Sequence, residues 1–496
     1  MAAVTEFELK LEIPADRLQP LLAAIGHGDT VRERLRATYF DTQDGRLARR
    51  GIVVRMRREG RKWVQTAKTP GSGPLARLEH NAPVAPDEAG MTPAVDLARH
   101  TGTPVGETIR RALKLKAGAA FPPLVALYET DVTRLSVSVR HGESEVEIAL
   151  DQGRIVAGDR SVPVRELELE LKQGRPADAV QLAREGCGIH GLWLSTISKS
   201  MKGQRLAGTA ARPAGGARTP GYGRRAGGHA LVAAVVSACL EQVVEFASEV
   251  AGGSSDADDI HQLRVGIRRL RTALRELASL TEGIDPAWEA PLIEAFRALG
   301  LHRDHGHLAR TVEPLIEGAG GPAVDAGALD EDIPDPATVV RAAAFQDSLM
   351  ALLAFACRAA CQAGPDHDQT KKRVRKALVK LHGQVLEDGV RFASLDEVHQ
   401  HRVRKRLKRL RYLAEFAAPL FHSRQTQTFA DSLKPLQDAL GLYNDELMGL
   451  HAYRALAPEN PEAWFAVGWL SARRVPHALA CQQAVEEFSR TRPFWE

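Results

Sequence analysis

The sequence predicts an α+β protein of two domains: an N-terminal antiparallel β-barrel that forms a tunnel, and a C-terminal all-α helical bundle with an internal duplication. Charged and apolar residues alternate in several segments before residue 206, and apolar residues follow a helical spacing after residue 230. One basic helical motif also occurs twice. At 496 residues with 44% apolar content, the chain is long enough for two hydrophobic cores.

The first predicted strand carries charged residues at every second position, so one face is polar and the other apolar. These residues are Glu6, Glu8, Lys10 and Glu12 in TEFELKLE. An amphipathic edge strand accounts for this segment equally well. The alternation recurs, however, in GIVVRMR, SEVEIAL and RELELELK, which divide into arginine-bearing and glutamate-bearing strands. That division favours a closed barrel with an ionic lumen, because inward and outward residues alternate along every barrel strand.

Carboxylates and bases gathered in one lumen predict a polyanion together with a divalent metal, because neither set stays charged without counterions. Carboxylate oxygens suit Mg²⁺ or Mn²⁺, which bridge proteins to substrate phosphates. Guanidinium groups bind phosphate oxygens in pairs, and lysine adds a point charge. The chemistry indicated is metal-assisted attack of water on a phosphoanhydride. For any single residue of the set, a surface ion pair is the alternative interpretation.

These segments resemble the CYTH domain, whose members are triphosphate tunnel metalloenzymes. The Glu-x-Glu-x-Lys pattern of TEFELKLE is followed in order by YFDT, GIVVRMRR, WVQTAKT, RLE, IALDQG, RELELEL and ISKSMKG. The resemblance covers residues 1–206, which we take as the tunnel domain. It implies metal-dependent hydrolysis of a triphosphate inside the tunnel, by one metal that braces the phosphate chain and a second that positions the attacking water.

The resemblance also implies residue roles, with Mg²⁺ or Mn²⁺ as the cofactor. The implied metal ligands are Glu6, Glu8, Glu147, Asp151, Glu166 and Glu168. The implied triphosphate-binding bases are Lys10, Arg55, Arg57, Lys68, Arg77, Arg134 and Lys199. The residues expected to be catalytic are Glu6, Glu8 and Lys10.

Composition indicates a cytoplasmic protein without a membrane partner. The five cysteines have no paired spacing suited to zinc or to a disulfide framework, which favours a reducing compartment. The first strand begins by residue 5, which leaves no room for a signal peptide. Apolar runs such as 230–240 are expected to fall short of a membrane span. The net charge of +4 is small, so any affinity for anions must come from local clusters.

Residues 207–229 are rich in Gly, Ala, Pro and Arg and have no apolar period, which predicts a flexible linker. The helical domain is expected over 230–496, and it contains the duplicated motif. HQLRVGIRRLRTALRE begins at His261, and HRVRKRLKRLRYLAEF begins at His401. LGLHRD and LGLYND then follow, with their glycines 39 and 40 residues after the two histidines. Two linked motifs at matching distances indicate a duplicated helical unit.

Four equivalent positions in each copy share one helical face, because they lie at offsets of 0, 3, 7 and 10. They are His261, Arg264, Arg268 and Arg271 in the first copy, and His401, Arg404, Lys408 and Arg411 in the second. Such a row favours an extended polyphosphate over a compact ligand. A solvated charged face is one alternative. Nucleic acid is not expected, because aromatic residues for base stacking make up only 5% of the chain.

The repeated motif resembles the CHAD domain, a conserved-histidine α-helical domain often attached to CYTH domains. The resemblance implies binding of inorganic polyphosphate and association with polyphosphate granules. Near the first LGL motif, His302, His305 and His307 lie around Asp304, and exposed loop histidines are favoured there over a metal site.

Two functional hypotheses follow from the sequence. In the first, the tunnel hydrolyses inorganic triphosphate or short polyphosphate while the helical domain binds long polyphosphate. In the second, the protein is a non-catalytic, granule-associated polyphosphate-binding protein. Carboxylates on at least three strands favour the first, since binding alone would need only bases. The phosphate-binding pattern does not distinguish inorganic triphosphate from thiamine triphosphate or ATP.

Overall fold

The computed structural model describes residues 7–26, 29–59, 62–70, 77–85, 93–116, 118–209, 216–324, 333–358 and 364–496. The chain divides into an N-terminal unit, residues 1–215, and a C-terminal unit, residues 216–496.

The described part of the N-terminal unit contains one antiparallel sheet of nine strands. They are β1 (Phe7–Glu12), β2 (Val31–Asp41), β3 (Val53–Glu59), β4 (Lys62–Pro70), β5 (Arg77–Val84), β6 (Val125–His141), β7 (Ser144–Ala157), β8 (Arg160–Gln173) and β9 (Trp193–Leu194). The hydrogen-bonded order is β5-β4-β3-β2-β6-β7-β8-β1-β9. Four helices accompany the sheet: α1 (Leu18–Ile25), α2 (Pro104–Ala112), α3 (Pro176–His190) and α4 (Lys199–Leu206). The predicted antiparallel architecture is confirmed.

The strand register gathers the charged residues on one face of the sheet. Lys10 on β1 lies opposite Glu168 on β8. Asp151 on β7 lies opposite Glu166 on β8 and opposite Arg134 on β6. Directly paired residues project to the same side of a sheet, so these side chains share one surface. The alternate leucines of β1 and β8 are buried on the other side, where α3 packs.

The sheet curls so that this charged face lines a tunnel. In the strand order β4 lies six positions from β1, which would be about 29 Å away in a flat sheet. The charge of Lys68 on β4 nevertheless acts on the Glu8 carboxylate of β1. Arg55 on β3 likewise acts on Glu168 of β8, four strands away. Among the strands that the structure describes, β5 and β9 are the two ends of the hydrogen-bonded order.

The described part of the C-terminal unit is helical. Its helices are α5 (Gly228–Ala251), α6 (Ala257–Glu276), α7 (Glu289–Thr311), α8 (Glu313–Gly318), α9 (Pro336–Arg341), α10 (Ala343–Arg358), α11 (His367–Gly389), α12 (Glu397–Ala417), α13 (Ser423–Leu456) and α14 (Ala463–Ser489). The two copies of the basic motif are α6 and α12. LGLHRD belongs to helix α7, so the loop expected around His302 is wrong. The side chains of His305 and His307 lie outside the described residues.

Helices α6 and α12 are joined by two ion pairs that mirror each other. Arg269 of α6 pairs with Glu415 of α12. Arg409, the equivalent residue of α12, donates from Nε to Glu276 Oε1 of α6 at 2.7 Å. The duplicated helices therefore pack through equivalent arginines, each of which reaches an acid on the opposite helix.

Helix α5 is longer than the apolar run expected from the sequence, so the expectation that this run falls short of a membrane span is wrong. The apolar run near residue 230 extends through a helix of 24 residues, which is long and apolar enough to cross a membrane by length and composition. The apolar helix continues past Leu240 because its charged residues, Glu241, Glu245 and Glu249, lie four apart on one face and leave the other faces apolar. In the structure 61% of its most apolar window is buried, which is typical of a core helix.

The second half of the predicted linker contacts the helices of the C-terminal unit. Arg218 pairs with Glu245 at 2.7 Å, and the Tyr222 hydroxyl donates to the carbonyl of Phe416. These contacts attach residues 216–227 to α5 and α12.

Candidate functional sites

Two lysines of α4 neutralise a group of carboxylates on the charged face of the sheet. We call this group the carboxylate cluster; its members are Glu12, Asp151, Glu166 and Glu168. Lys199 Nζ lies 2.7 Å from carboxylate oxygens of Asp151, Glu166 and Glu168. Lys202, one turn further along the helix, lies 2.7 Å from Glu12 and from Glu166.

Arg134 completes the set of cations around the cluster. Its Nε and Nη2 donate to the two oxygens of Asp151 at 2.8 and 2.7 Å, a paired geometry that favours strong binding. It also pairs with Glu168. Each carboxylate of the cluster therefore has at least one charged protein partner.

Helix α4 is held in place by Tyr128 of β6. The Tyr128 hydroxyl donates to the carbonyl of Ser200 at 3.1 Å, and the ring stacks on Tyr39 with centroids 4.6 Å apart. Gly203 lies against the same ring, where an added Cβ would approach the ring carbons to 2.2 Å. Only glycine at position 203 allows this close approach. Ser198 also holds the helix, because it caps it by accepting a hydrogen bond from the backbone N–H of Met201.

The lysines keep the buried carboxylates ionised. Burial alone would raise the pKa of Glu166, which is 0% exposed, but the charges of Lys199, Lys10 and Lys202 hold that pKa well below its usual range. Burial also opposes ionisation of Glu168, yet Lys199 and Arg134 lower its pKa to about 2. The carboxylates raise the pKa of Lys199 in return, despite its burial. At neutral pH Glu166 and Glu168 are therefore negatively charged beside the positively charged Lys199.

Glu8 and Lys10, on β1, are less well compensated. Water reaches the Glu8 side chain from the tunnel, but the surrounding protein desolvates it and raises its pKa to about 7, and the negative charge of Glu168 adds to the rise. Burial lowers the pKa of Lys10 to about 8, against the opposing effect of Glu166. Lys10 Nζ is buried without a hydrogen-bond partner, as is Nε of Arg55. Two buried donors facing one tunnel suit an anionic ligand.

The carboxylates Glu8 and Glu168 are of the chemical type that binds a divalent metal. Glu8 and Glu168 repel each other, and carboxylate oxygens are the ligands that Mg²⁺ and Mn²⁺ prefer. Asp151, Glu166 and Glu168 are each already paired with Lys199, so a cation bound by Glu168 would share it with that lysine. Within the described ranges, no group of three or more His, Cys, Asp or Glu side chains could hold a metal ion. Glu6, the other carboxylate expected on β1, lies outside them.

The remaining tunnel residues of the sequence prediction lie on the same sheet. Arg57 is on β3, two residues from Arg55, and Lys68 of β4 pairs with Glu79 at 2.5 Å. Arg77 begins β5, but its side chain is outside the description. Glu147 on β7 lies 3.7 Å from Lys172 of β8. Most of the predicted residues thus lie on the charged face of the sheet, and their roles stay predictions.

Sequence analysis missed Lys202, although its signal was present. ISKSMKG contains a second lysine three residues after Lys199, and residues three apart face the same side of a helix. The partner Glu12 was recognised as charged but was given no role. Its contact with Lys202 joins residues 190 positions apart, which strand periodicity does not predict.

In the C-terminal unit, Arg264 and Arg271 of the predicted polyphosphate-binding set make structural contacts. Arg264 is only 7% exposed, donates from Nη1 to the carbonyl of Phe296 at 2.7 Å, and covers the Phe296 ring at 4.3 Å. A Cβ on Gly300 would approach the same Nη1 to 2.4 Å, so the guanidinium packs directly against this glycine of LGLHRD. Arg271 pairs with Glu289 at 3.0 Å.

The other members of the motif form a shared positive region between α6 and α12. Burial lowers the pKa of His401, and the charges of Lys405, Arg404 and Lys408 lower it further. Arg268 of α6 adds to this effect, so the two basic motifs lie close enough to interact across the helix pair. His261 is half-buried at the beginning of the first motif. Arg411 covers the Tyr412 ring at 4.6 Å and lies 3.6 Å from Glu415.

Comparison with known families matches both units. The model of the CYTH domain matches residues 5–201, and the model of the CHAD domain matches residues 234–453. The chain carries a CYTH domain followed by a CHAD domain. The domain order inferred from the sequence motifs is confirmed. The CYTH family is generally dependent on divalent metals.

Individual proteins and one solved structure are similar to all or part of the chain. An inorganic triphosphatase of Haemophilus influenzae is 29% identical over 172 residues, which cover 34% of this chain and 45% of the relative's length. An uncharacterized protein of Mycobacterium tuberculosis, MT2285, is 26% identical over 97% of this chain and 95% of its own length. The crystal structure of the CHAD domain from the plant Ricinus communis is 26% identical, covers 54% of this chain and 95% of its own, and has a TM-score of 0.45.

Proposed function

We propose that the CYTH domain hydrolyses inorganic triphosphate or short polyphosphate with Mg²⁺ or Mn²⁺, and that the CHAD domain binds inorganic polyphosphate. The observation that carries the first part is the charged face of the curled sheet, where unpartnered donors of Lys10 and Arg55 accompany the carboxylates Glu8 and Glu168. The relative from Haemophilus influenzae, named as an inorganic triphosphatase, supports the substrate.

In this proposal the bases bind the phosphate chain and the acids bind the cation. Lys10 and Arg55 donate to phosphate oxygens from one side of the tunnel, and Lys68 adds charge from β4. Glu8 and Glu168, with Glu6, hold the divalent cation. When bound, that cation neutralises phosphate charge and activates water for attack on the phosphorus. Lys199 and Lys202 keep Glu166 ionised, and Lys199 also pairs with Asp151, so the tunnel is organised before the substrate enters.

The carboxylates of β1 provide the first test. Replacing Glu6 and Glu8 with Gln together should abolish metal-dependent phosphate release from triphosphate while polyphosphate retention by the protein is unchanged. Glu129→Gln is the matched control, because Glu129 belongs to the same sheet but is exposed on the opposite face. Release that persists at the wild-type rate in the double variant would contradict the metal-binding role.

The basic helices provide the second test. Arg268→Gln combined with Lys408→Gln should weaken polyphosphate binding and reduce its salt dependence, because two phosphate contacts are removed. Arg424→Gln combined with Lys434→Gln, both at exposed positions of α13, is the control with the same change of charge. The measurement is retention of polyphosphate in a salt series. If the Arg268→Gln, Lys408→Gln variant retains wild-type affinity and salt dependence, another surface binds the chain.

The alternative, a non-catalytic polyphosphate-binding protein, has one observation in its favour. Lysine ammonium groups already neutralise Asp151 and Glu166, and the described residues offer no set of three metal ligands. A tunnel of this kind could hold an anion without turnover. Both versions are compatible with a cytoplasmic protein on polyphosphate granules, and phosphate release distinguishes them.

A further inference from the structure

Helix α14 is apolar on two opposite faces. Its inner face, with Ala463, Val467, Leu470 and Val485, is buried in the C-terminal unit. The opposite face is exposed, and from residue 464 to residue 480 every exposed position is uncharged. We call this exposed face the α14 stripe. Its large members are Trp464, Phe465, Val475 and Leu479, which are 56%, 40%, 65% and 53% exposed.

A surface helix of a soluble protein normally carries polar and charged residues on its outer face, and a helix that is apolar all round is buried. The other charged surfaces of this unit follow the rule, as the exposed lysines and arginines of α11 and α12 show. The α14 stripe departs from it over about four and a half turns of helix, or about 24 Å. Single exposed apolar residues are ordinary, but a contiguous stripe indicates an interaction surface.

We propose that the α14 stripe binds a second copy of this chain through the same stripe, so that the protein forms a two-fold symmetric dimer. The stripe is self-complementary in its apolar character. A two-fold axis beside Ala472 places Phe465 of one antiparallel helix opposite Leu479 of the other, so that large apolar side chains meet on both sides of the axis. The space above Gly468, nearer the axis, is open.

Charge also favours a second copy over an acidic or basic partner. The two arginines beside the stripe are neutralised within the chain. Arg473 donates from Nε to Glu446 at 2.9 Å, and Arg474 pairs with Glu397 at 2.8 Å. Two copies can therefore approach without repulsion between like charges, whereas a charged partner would find no complementary group on the stripe.

The available area suits a dimer of moderate affinity. A fully exposed aromatic side chain presents about 150–250 Å², so the half-exposed Trp464 and Phe465 contribute about 200 Å² together. With Val475, Leu479 and the small residues, each copy offers about 500 Å². The two copies together bury about 1,000 Å², the lower limit of a specific interface. The dimer should therefore dissociate on dilution.

Sedimentation velocity of the full-length protein over a concentration series tests this proposal. We expect a mass twice the 53.9 kDa of one chain at high concentration and a monomer on dilution. Val475→Glu should raise the dissociation constant more than about tenfold, because it would bury an unpaired charge. Val398→Glu is the control, because Val398 is 69% exposed in the first turn of α12, where an acidic residue is tolerated. It should dimerise like the wild type.

A cysteine at the two-fold axis gives an independent readout. Ala472→Cys should form a disulfide-linked dimer under mild oxidation, because small residues at the axis bring equivalent Cα atoms within disulfide range. Val398→Cys should not form it, and the parent protein gives the background from native cysteines. A wild-type protein that remains monomeric at every concentration would overturn the proposal. A Val475→Glu variant that still dimerises would overturn it as well.

Discussion

Lys199→Met tests whether the α4 lysine holds the carboxylate cluster together. The Lys199 side chain is 16% exposed and lies 2.7 Å from three carboxylates, so the variant leaves buried negative charge without its main counterion. Methionine has a similar volume, so the loss of packing is small. Removing one partner of a buried ion pair destabilises a protein by about 3–5 kcal/mol. We expect a loss of that size in the free energy of unfolding of the N-terminal unit.

Calorimetry measures the effect as a shift of one unfolding transition. For a domain of this length, about 1 kcal/mol corresponds to about 2–4 °C, so the transition should fall by about 6–20 °C. Lys172→Met is the matched control. Lys172 is on the same sheet and lies 2.7 Å from Glu170, but its side chain is 38% exposed. A pair of that exposure is worth about 0–1 kcal/mol.

The stability loss caused by Lys199→Met should depend on pH, and the pKa shifts of its partners give the direction. The pKa values of Glu166 and Glu168 are held low in the folded protein, so their ion pairs stabilise it above about pH 4.5, the usual pKa of Glu. That stabilisation is lost as the pH falls through the lowered values. The difference between Lys199→Met and the wild type should therefore be largest at neutral pH and shrink in acid. A loss no larger than that of Lys172→Met, or one independent of pH, would refute the reasoning.

Two further predictions concern the N-terminal unit. Gly203→Ala should destabilise the docking of α4 by about 1–3 kcal/mol, because the new Cβ overlaps the Tyr128 ring. Gly188→Ala is the control, because Gly188 has open space around it in α3, and it should be neutral or stabilising. Thermal unfolding of both variants measures the difference. Burial lowers the pKa of His100 to about 4, and Gln65 donates a hydrogen bond to its Nε2 at 2.9 Å. Neutral His100 therefore stabilises the folded protein above about pH 6.5, and this stabilisation is lost as the pH falls towards 4. The full loss is about 3 kcal/mol, measurable by denaturant unfolding at several pH values, and His100→Gln should flatten the profile; an unchanged profile in that variant would exclude His100 as its source.

The strand pattern predicted the sheet well because its signal is local. Alternation of charge in β1 and β8 determines which residues share a face, and the register confirms that Lys10 and Glu168 lie side by side. The same pattern did not reveal that Lys202 reaches Glu12 and Glu166. That contact depends on how α4 packs onto the sheet through Tyr128 and Gly203, which no local period encodes.

In the basic helices α6 and α12, sequence spacing did not predict which side chains are buried. The spacing places Arg264 and Arg268 on one helical face, but spacing alone does not distinguish a buried arginine from one that faces a ligand. Arg264 is buried against Phe296 and Gly300, more than 30 positions along the chain. The ion pairs of Arg269 and Arg409 were likewise invisible, because each depends on the opposite helix.

Phosphate release by the purified protein tests the central claim most directly. Inorganic triphosphate, ATP, thiamine triphosphate and long-chain polyphosphate are offered side by side with Mg²⁺ or Mn²⁺. We predict selective, metal-dependent hydrolysis of inorganic triphosphate, with long-chain polyphosphate retained by the protein. Absence of turnover on all four compounds while polyphosphate is still bound would contradict the hydrolase and establish a binding protein.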